Sequence, residues 1–231
     1  MITPVDFHPP LGLIIRTPRL ILQPADEPCA LRLAMAVLEH GIHDTNHSPF
    51  GTQWSDADAT TVARRVFTDS LPKTHESLWK LSFAVRLAGT PDTPIGVVVL
   101  RQDGDLEGGV CTASWFVRPM HGNGLGTETR AALLKLAFDG MDADYASSLV
   151  FTNNTASLGV TQKFGYAHMS SEMREVRGSL EEYAKMTLTR EQWRGHLLAQ
   201  SLGAEVSWEG LVPVLDYLGI TSALNEEQIA G

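Results

Sequence analysis

The sequence predicts an α/β fold, a sandwich of helices around a mixed sheet, on the strength of three features. Three apolar runs, residues 79–87, 95–102 and 110–117, are separated by turn chemistry and read as a meander of antiparallel strands. A strand, a glycine-rich turn, a helix, a strand and a helix then follow over residues 110–164, an order that lays helices on the faces of a sheet. Residues 169–176 and 182–188 flank Gly178 as a closing hairpin. With 231 residues, 43% of them hydrophobic, the chain can bury one sizeable core and needs no second domain.

Residues 19–23 read as the first strand. A helix then starts at Asp26, its N-cap, with Pro28 in the first turn and Gly41 at its end; Leu31, Met35 and Leu38 recur at i, i+4, i+7 as its apolar stripe. A second helix is expected over residues 56–70, with Ala59, Val62, Ala63, Val66 and Phe67 on its apolar side. The segment between these helices is irregular and rich in histidine. After the meander, Ala131, Leu134 and Phe138, widened by Leu133 and Ala137, mark a helix over residues 126–138 that lies on the sheet. Residues 145–152 form the next strand, and Ala156, Val160 and Phe164 line a helix closed by Gly165. Thr189-Arg190-Glu191-Gln192 has the form of a capping box that opens another helix. The stripe Leu211, Leu215 and Leu218 is too apolar for a free tail and is expected to dock on its own domain or on a second subunit.

Between the third strand of the meander and the long helix runs Trp115-Phe116-Val117-Arg118-Pro119-Met120-His121-Gly122-Asn123-Gly124-Leu125-Gly126-Thr127-Glu128. Gly122, Gly124 and Gly126 have no Cβ, so successive backbone N–H groups can point at one anion where the helix start adds its positive dipole end. A phosphate-bearing cofactor is the first expectation, and a plain strand-to-helix connector is the alternative. The spacing G-x-G-x-G is not the G-x-G-x-x-G of a dinucleotide fold. Asp142 and Asp144 lie in a turn and not at the end of a second apolar strand, and no Gly-Lys-Ser or Gly-Lys-Thr follows as in a Walker loop.

A second block, Asn154-Thr155-Ala156-Ser157-Leu158-Gly159-Val160-Thr161-Gln162-Lys163-Phe164-Gly165-Tyr166, follows the next strand. The two blocks together, in this order and separation, resemble the GNAT family of N-acetyltransferases. That family has a Q/R-x-x-G-x-G/A loop on the pyrophosphate of acetyl-CoA and an N-x-A-S/A-x-x-x-x-x-K-x-G-F segment after it. His121 stands at the Gln/Arg position, Gly124 and Gly126 match the glycines, and Asn154, Ala156, Ser157, Lys163, Gly165 and Tyr166 match the second segment. Thr17-Pro18-Arg19-Leu20-Ile21-Leu22, Pro49-Phe50-Gly51 and Trp54 are similar to the RimJ/RimL-like branch, ribosomal-protein N-terminal acetyltransferases. The resemblance spans about residues 14 to 193. It implies a three-layer α/β/α sandwich whose mixed, mostly antiparallel sheet is splayed at the cofactor site; residues 1–195 are expected as the acetyltransferase domain and, on pattern alone, 196–231 as a helical extension packed on the domain or a partner subunit.

The resemblance also implies roles. The backbone of Gly122, Asn123, Gly124, Leu125, Gly126 and Thr127 would hold the cofactor's diphosphate. His121 is a departure, because a neutral imidazole offers one donor where Arg offers several, and a solvent-facing histidine is the alternative. Main-chain N–H groups of Phe116, Val117 and Arg118 would polarise the thioester carbonyl, with Val117 central. Asn154 would bond the pantetheine arm, or N-cap the helix that follows. Many relatives place a tyrosine where this chain has Thr161, so the usual acid for the departing thiolate is missing. Ser157 is the candidate donor to sulfur, or a helix-start serine. A thiolate near the reference pKa of ~8.5 can leave with modest assistance. His43, His47, Phe50 and Trp54 would line the acceptor pocket, with core packing as the alternative for the two aromatics. His43, Asp44 and His47 are the candidates for a base, beside a water chain.

A metal site at His43 and His47 is rejected, because Gly41, Asn46 and Pro49 disturb the helix that would align them and no further ligand set is evident. The net charge of −9 argues against nonspecific nucleic-acid binding and fits a cationic acceptor. Cys29 and Cys111 are far apart and without ligand spacing, so two reduced thiols are expected; with no long apolar run or leader pattern, the protein is expected in the cytoplasm and away from membranes. The leading expectation is an acetyl-CoA-dependent N-acetyltransferase acting on a protein N-terminus or a small-molecule amine, with a homodimer open. A non-catalytic acyl-CoA-binding domain and a nucleotide-binding enzyme of another class are the alternatives.

Overall fold

The computed structural model describes residues 2–43, 49–50, 53–71, 78–105 and 107–220. In chain order these form α1 (Pro4–Phe7), β1 (Ile14–Arg16), β2 (Leu20–Gln23), α2 (Glu27–His40), α3 (Ala59–Ser70), β3 (Lys80–Leu87), β4 (Thr90–Gln102), β5 (Gly109–Phe116), α4 (Leu125–Lys135), β6 (Tyr145–Phe151), α5 (Thr155–Lys163), β7 (Ala167–Val176), β8 (Ser179–Thr189), α6 (Arg190–Arg194), α7 (Leu197–Gln200), β9 (Ser207–Glu209) and α8 (Leu211–Leu218). The strands make one sheet in the order β7-β8-β6-β5-β4-β3-β2-β1-β9. Every pairing is antiparallel except β5 with β6.

Helix pairs cover the two faces. Successive strand residues point to opposite sides of a sheet. On β5, Trp115 meets Trp54 from the segment between α2 and α3, whereas Thr112 lies by Tyr166, whose ring is overlaid by Arg130 of α4. The α2–α3 pair and the α4–α5 pair therefore flank the sheet as outer layers, with Phe83, Val98, Leu100, Leu133, Leu134 and Phe138 among the fully buried residues between them.

Local rules set the helix ends. Asp26 accepts from the Cys29 amide at 2.8 Å, Asp58 from the Thr61 amide at 3.0 Å, and Thr189 and Gln192 close the capping box that opens α6. The apolar stripe expected for α2 is corrected. Cys29, Ala30, Leu33, Ala34 and Val37 face the core, while Leu31, Met35 and Leu38 are 55, 57 and 42% exposed. The smaller side chains let α2 approach α3 and β4 closely, so period alone did not fix which face turns inward.

The described part of the C-terminal extension is built into the same fold. β9 pairs with β1, and Trp208, Leu211, Val214 and Leu215 are buried in the common core. At the other end, β7 is an edge strand exposed from Ala167 through Glu175.

Candidate functional site

The sheet opens between β5 and β6. Their ladder has only the rungs Gly109↔Tyr145, Val110↔Ala146 and Cys111↔Ser147, while β5 stays paired with β4 out to Phe116 and β6 with β8 out to Phe151. Beyond Cys111 the two strands diverge, leaving a cleft inside the sheet. Ala113 and Ser114, on an interior strand, are exposed as a result.

Register decides which β5 amides look into this cleft. The Val117 amide donates to Ile95 O at 2.9 Å, which makes that pair hydrogen-bonded and its neighbour Phe116↔Gly96 non-bonded. The N–H and C=O groups of Phe116 and Ser114 therefore point away from β4, toward the cleft. Of the three amides expected to polarise a carbonyl, Val117 is spent on Ile95 and Arg118 on Gly41 O at 3.1 Å, so only Phe116 remains, and Ser114 joins it. Gly96 permits this arrangement: a Cβ there would lie 2.3 Å from Trp115 O.

The turn after β5 stands at the mouth of the cleft with a backbone geometry that could cradle an anion. Gly122 and Gly124 have φ of 75° and 76°, and Gly124 is the N-cap of α4. Among the described residues the amides of Gly122, Asn123, Gly124, Leu125 and Gly126 have no hydrogen-bond partner, whereas Thr127 donates to Gly124 O at 3.1 Å and is already committed. A run of unpaired amides at a helix start fits the diphosphate of CoA.

Arg19 was missed as part of this site. Its Nε donates to Glu128 at 2.6 Å and its Nη1 to Asn123 O at 3.2 Å, and its Nη2 would stand 3.6 Å from a Cβ at Gly124. Glu128, buried in the first turn of α4, also accepts from the Thr17 hydroxyl and the Arg19 amide, so it holds the guanidinium against the loop. The signal was legible as an arginine in the opening strand and an acid in the loop-following turn, but only the tertiary fold brings them together.

His121 is exposed, as a solvent-facing histidine would be, but its ring is anchored. Its Nε2 bonds Phe116 O at 2.9 Å, and because a carbonyl only accepts, that nitrogen carries the proton. The side chain thus closes the loop onto the end of β5. Asn154 N-caps α5, with Oδ1 accepting from the Ser157 amide at 3.1 Å and Nδ2 donating to Pro49 O at 3.1 Å. The Ser157 hydroxyl has no partner among the described residues, while Thr161 is fully buried and donates to Ser157 O at 2.9 Å, so it cannot serve as an acid. Both blocks meet at the mouth, where a Cβ on Gly126 would lie 3.7 Å from Val160.

On the opposite face His43, Phe50, Trp54 and Trp115 form a connected aromatic wall, with ring-centre separations of 5.9, 5.0 and 6.3 Å in turn. His43 Nε2 shares a 2.8 Å hydrogen bond with the Ser55 hydroxyl. The wall is tied down by Asn154 at Pro49 and by Arg177, which grips Asp56 through Nε and Nη2 at 2.5 and 2.7 Å. Trp115 was not expected here; its side chain leaves β5 on the face away from α4. His47 lies outside the described residues.

Residues 19–167 match the family described as Acetyltransferase (GNAT) domain. Among similar solved structures, RimJ of Mycobacterium smegmatis in complex with CoA-disulfide is 18% identical, with a TM-score of 0.62 over 86% of this chain and 98% of that one. A GCN5-related N-acetyltransferase from Brucella melitensis is 16% identical, with a TM-score of 0.64 over 83% and 84% of the two chains. A GNAT-family acetyltransferase from Bacillus anthracis is 15% identical, with a TM-score of 0.59 over 77% and 99%. These likenesses show the fold, and acetyl-CoA is the acyl donor of the matched family. No helix among the described residues is long and apolar enough to cross a membrane. The family match covers well over half of the sequence, and the chain belongs to the GNAT family of acetyltransferases.

Proposed function

We propose that the chain is an N-acetyltransferase that moves the acetyl group of acetyl-CoA to a primary amine, by direct attack with donor and acceptor bound together. The observation that supports this most is the cleft between β5 and β6, where among the described residues the amides of Ser114 and Phe116 have no strand partner and those of Gly122–Gly126, at the mouth, are unpaired. An unpaired strand amide inside a cleft is costly unless a ligand oxygen satisfies it.

In this reading Gly122, Asn123, Gly124, Leu125 and Gly126 hold the diphosphate, with Arg19 adding charge. Ser114 and Phe116 stabilise negative charge on the thioester oxygen, and Ser157 donates a hydrogen bond to sulfur. The amine nitrogen attacks the carbonyl carbon; the C–N bond forms, the C–S bond breaks with its electron pair on sulfur, and the amine proton leaves to solvent. An α-amine near pKa ~7.7 to 8.0 is already partly neutral at pH 7, while a lysine-like amine near ~10.4 is not. The aromatic wall at Phe50, Trp54 and Trp115 would receive the acceptor, and the likeness to the RimJ/RimL branch favours a protein N-terminus. Buried, unpaired Cys29 and Cys111 suit a reducing cytoplasm.

The test is release of free CoA thiol when acetyl-CoA meets peptides with free N-termini and small amines. Turnover is expected for an α-amine, with Ser157→Ala lowering kcat about 10- to 100-fold, the worth of one hydrogen bond of about 1.4 to 2.7 kcal/mol made in the transition state. CoA binding without turnover of any acceptor would favour the alternative of a non-catalytic acyl-CoA-binding domain.

A further inference from the structure

Three buried polar side chains at the closed end of the cleft each carry a polar atom that makes no well-formed hydrogen bond among the described residues. Thr112 is the first β5 residue past the last rung shared with β6, Arg130 comes from α4, and Tyr166 follows α5; they are 4, 6 and 6% exposed. Among the described residues the Thr112 hydroxyl, the Tyr166 hydroxyl and Nη1 of Arg130 each lack a partner in good hydrogen-bond geometry. They form one cluster. The Arg130 guanidinium lies 5.7 Å from the centre of the Tyr166 ring, and Arg130 and Thr112 stand close enough to the Tyr166 hydroxyl to oppose the burial that raises its pKa, although no contact among the three meets full hydrogen-bond geometry.

Among the described residues no carboxylate pairs with Arg130. A guanidinium taken out of water without a counter-charge is strongly unfavourable, so the site asks for an anion. All three groups can donate: the guanidinium can do nothing else, and either hydroxyl can turn its proton toward an acceptor. A carboxylate, acceptor-only and planar, matches that set, and its charge balances that of Arg130. A water molecule would satisfy the hydrogen bonds but leave the charge.

Resting on the reading of the cleft as the acyl-CoA site, we propose that its apex is a subsite for acyl donors whose chain ends in a carboxylate, such as succinyl-CoA, held by Arg130, Tyr166 and Thr112. Direction supports it. The phosphate loop is at the mouth, so the acyl end is the deepest part of a donor that runs back along β5 past Phe116 to Ser114. Thr112 lies two residues deeper, roughly 7 Å along an extended strand. A carboxylate two methylenes beyond the thioester carbon, completed by a hydrogen bond of about 2.8 Å, covers that distance. The bonds made and broken are those of acetyl transfer, and the terminal carboxylate takes no part in them. The product is an amide with a free carboxylate, so a cationic amine becomes an anion.

Calorimetry on the full chain compares succinyl-CoA with butyryl-CoA, which has a chain of similar length and no charge. Succinyl-CoA is expected to bind at least 10-fold more tightly, with the preference falling to near unity in Arg130→Met and severalfold in Tyr166→Phe. Tyr166→Phe, which keeps the ring in the core, carries the comparison if Arg130→Met does not fold. Equal affinities in the wild type, or an undiminished preference in the variants, would overturn the subsite. If acetyl-CoA binds while succinyl-CoA has no advantage, only the subsite falls; if no acyl-CoA binds, the assignment of the cleft falls with it.

Discussion

At Gly124 a backbone φ of 76°, the N-cap of α4 and a close approach of Arg19 to the loop coincide. A side chain there is strained by about 1 kcal/mol and stands toward the guanidinium, so Gly124→Ala is expected to weaken CoA binding about 10-fold or more by calorimetry. Gly122 shares the positive φ but has open space around its Cβ position, so Gly122→Ala should cost less. An equal effect at both sites would show that strain alone acts. The glycines were legible in the sequence because their chemistry is local. The amides that face the cleft were not: whether Val117 or Phe116 points inward depends on the register of β5 against β4, which no motif encodes. His121 was half legible. Its place in the motif was evident, but its bond to Phe116 O exists only because the loop folds back on the strand.

Helix α2 separates period from phase. The sequence contains two interleaved apolar sets, and the one made of larger residues, Leu31, Met35 and Leu38, is the exposed one. Burial of Leu33 at 0% against 55% for Leu31 gives the prediction. Leu33→Ala should destabilise the fold by about 2 to 5 kcal/mol, whereas Leu31→Gln should stay within about 0.5 kcal/mol in urea unfolding. A similar loss from both would mean that the stripe is covered in solution. Strand boundaries in the meander and the position of α5 were readable, because turn residues and caps such as Asn154 mark them. The divergence of β5 from β6 was expected only through the family resemblance, since nothing in the composition of either strand forbids further pairing.

Across the whole molecule, the cleft is open at one end and locked at the other. At the closed end the Ser147 hydroxyl donates to Asp103 at 2.5 Å, and Lys185 reaches Asp103 at 3.3 Å and Asp105 at 3.0 Å, tying the end of β4 to β6 and β8. Burial alone would raise the Asp103 carboxyl, but Ser147, the Asp105 amide and Lys185 outweigh it and hold its pKa below the usual value. The folded pKa is depressed, so this stabilisation is present above the unfolded value of ~3.9 and is lost as pH falls through the folded one. Asp103→Asn should therefore lower the urea midpoint at pH 7, and the gap from the wild type should narrow as pH drops below about 4. A gap that stays constant to pH 2 would contradict the ionic role. Above the lock, the amides of Ser114 and Phe116 point into the cleft and those of Gly122–Gly126 stand at its mouth, the groups proposed to hold acetyl-CoA. Hydrogen exchange measured with and without acetyl-CoA reads those groups directly. Slowed exchange is expected, concentrated at residues 122–126, 114 and 116; binding that leaves these amides unchanged while protecting another part of the sheet would place the cofactor elsewhere.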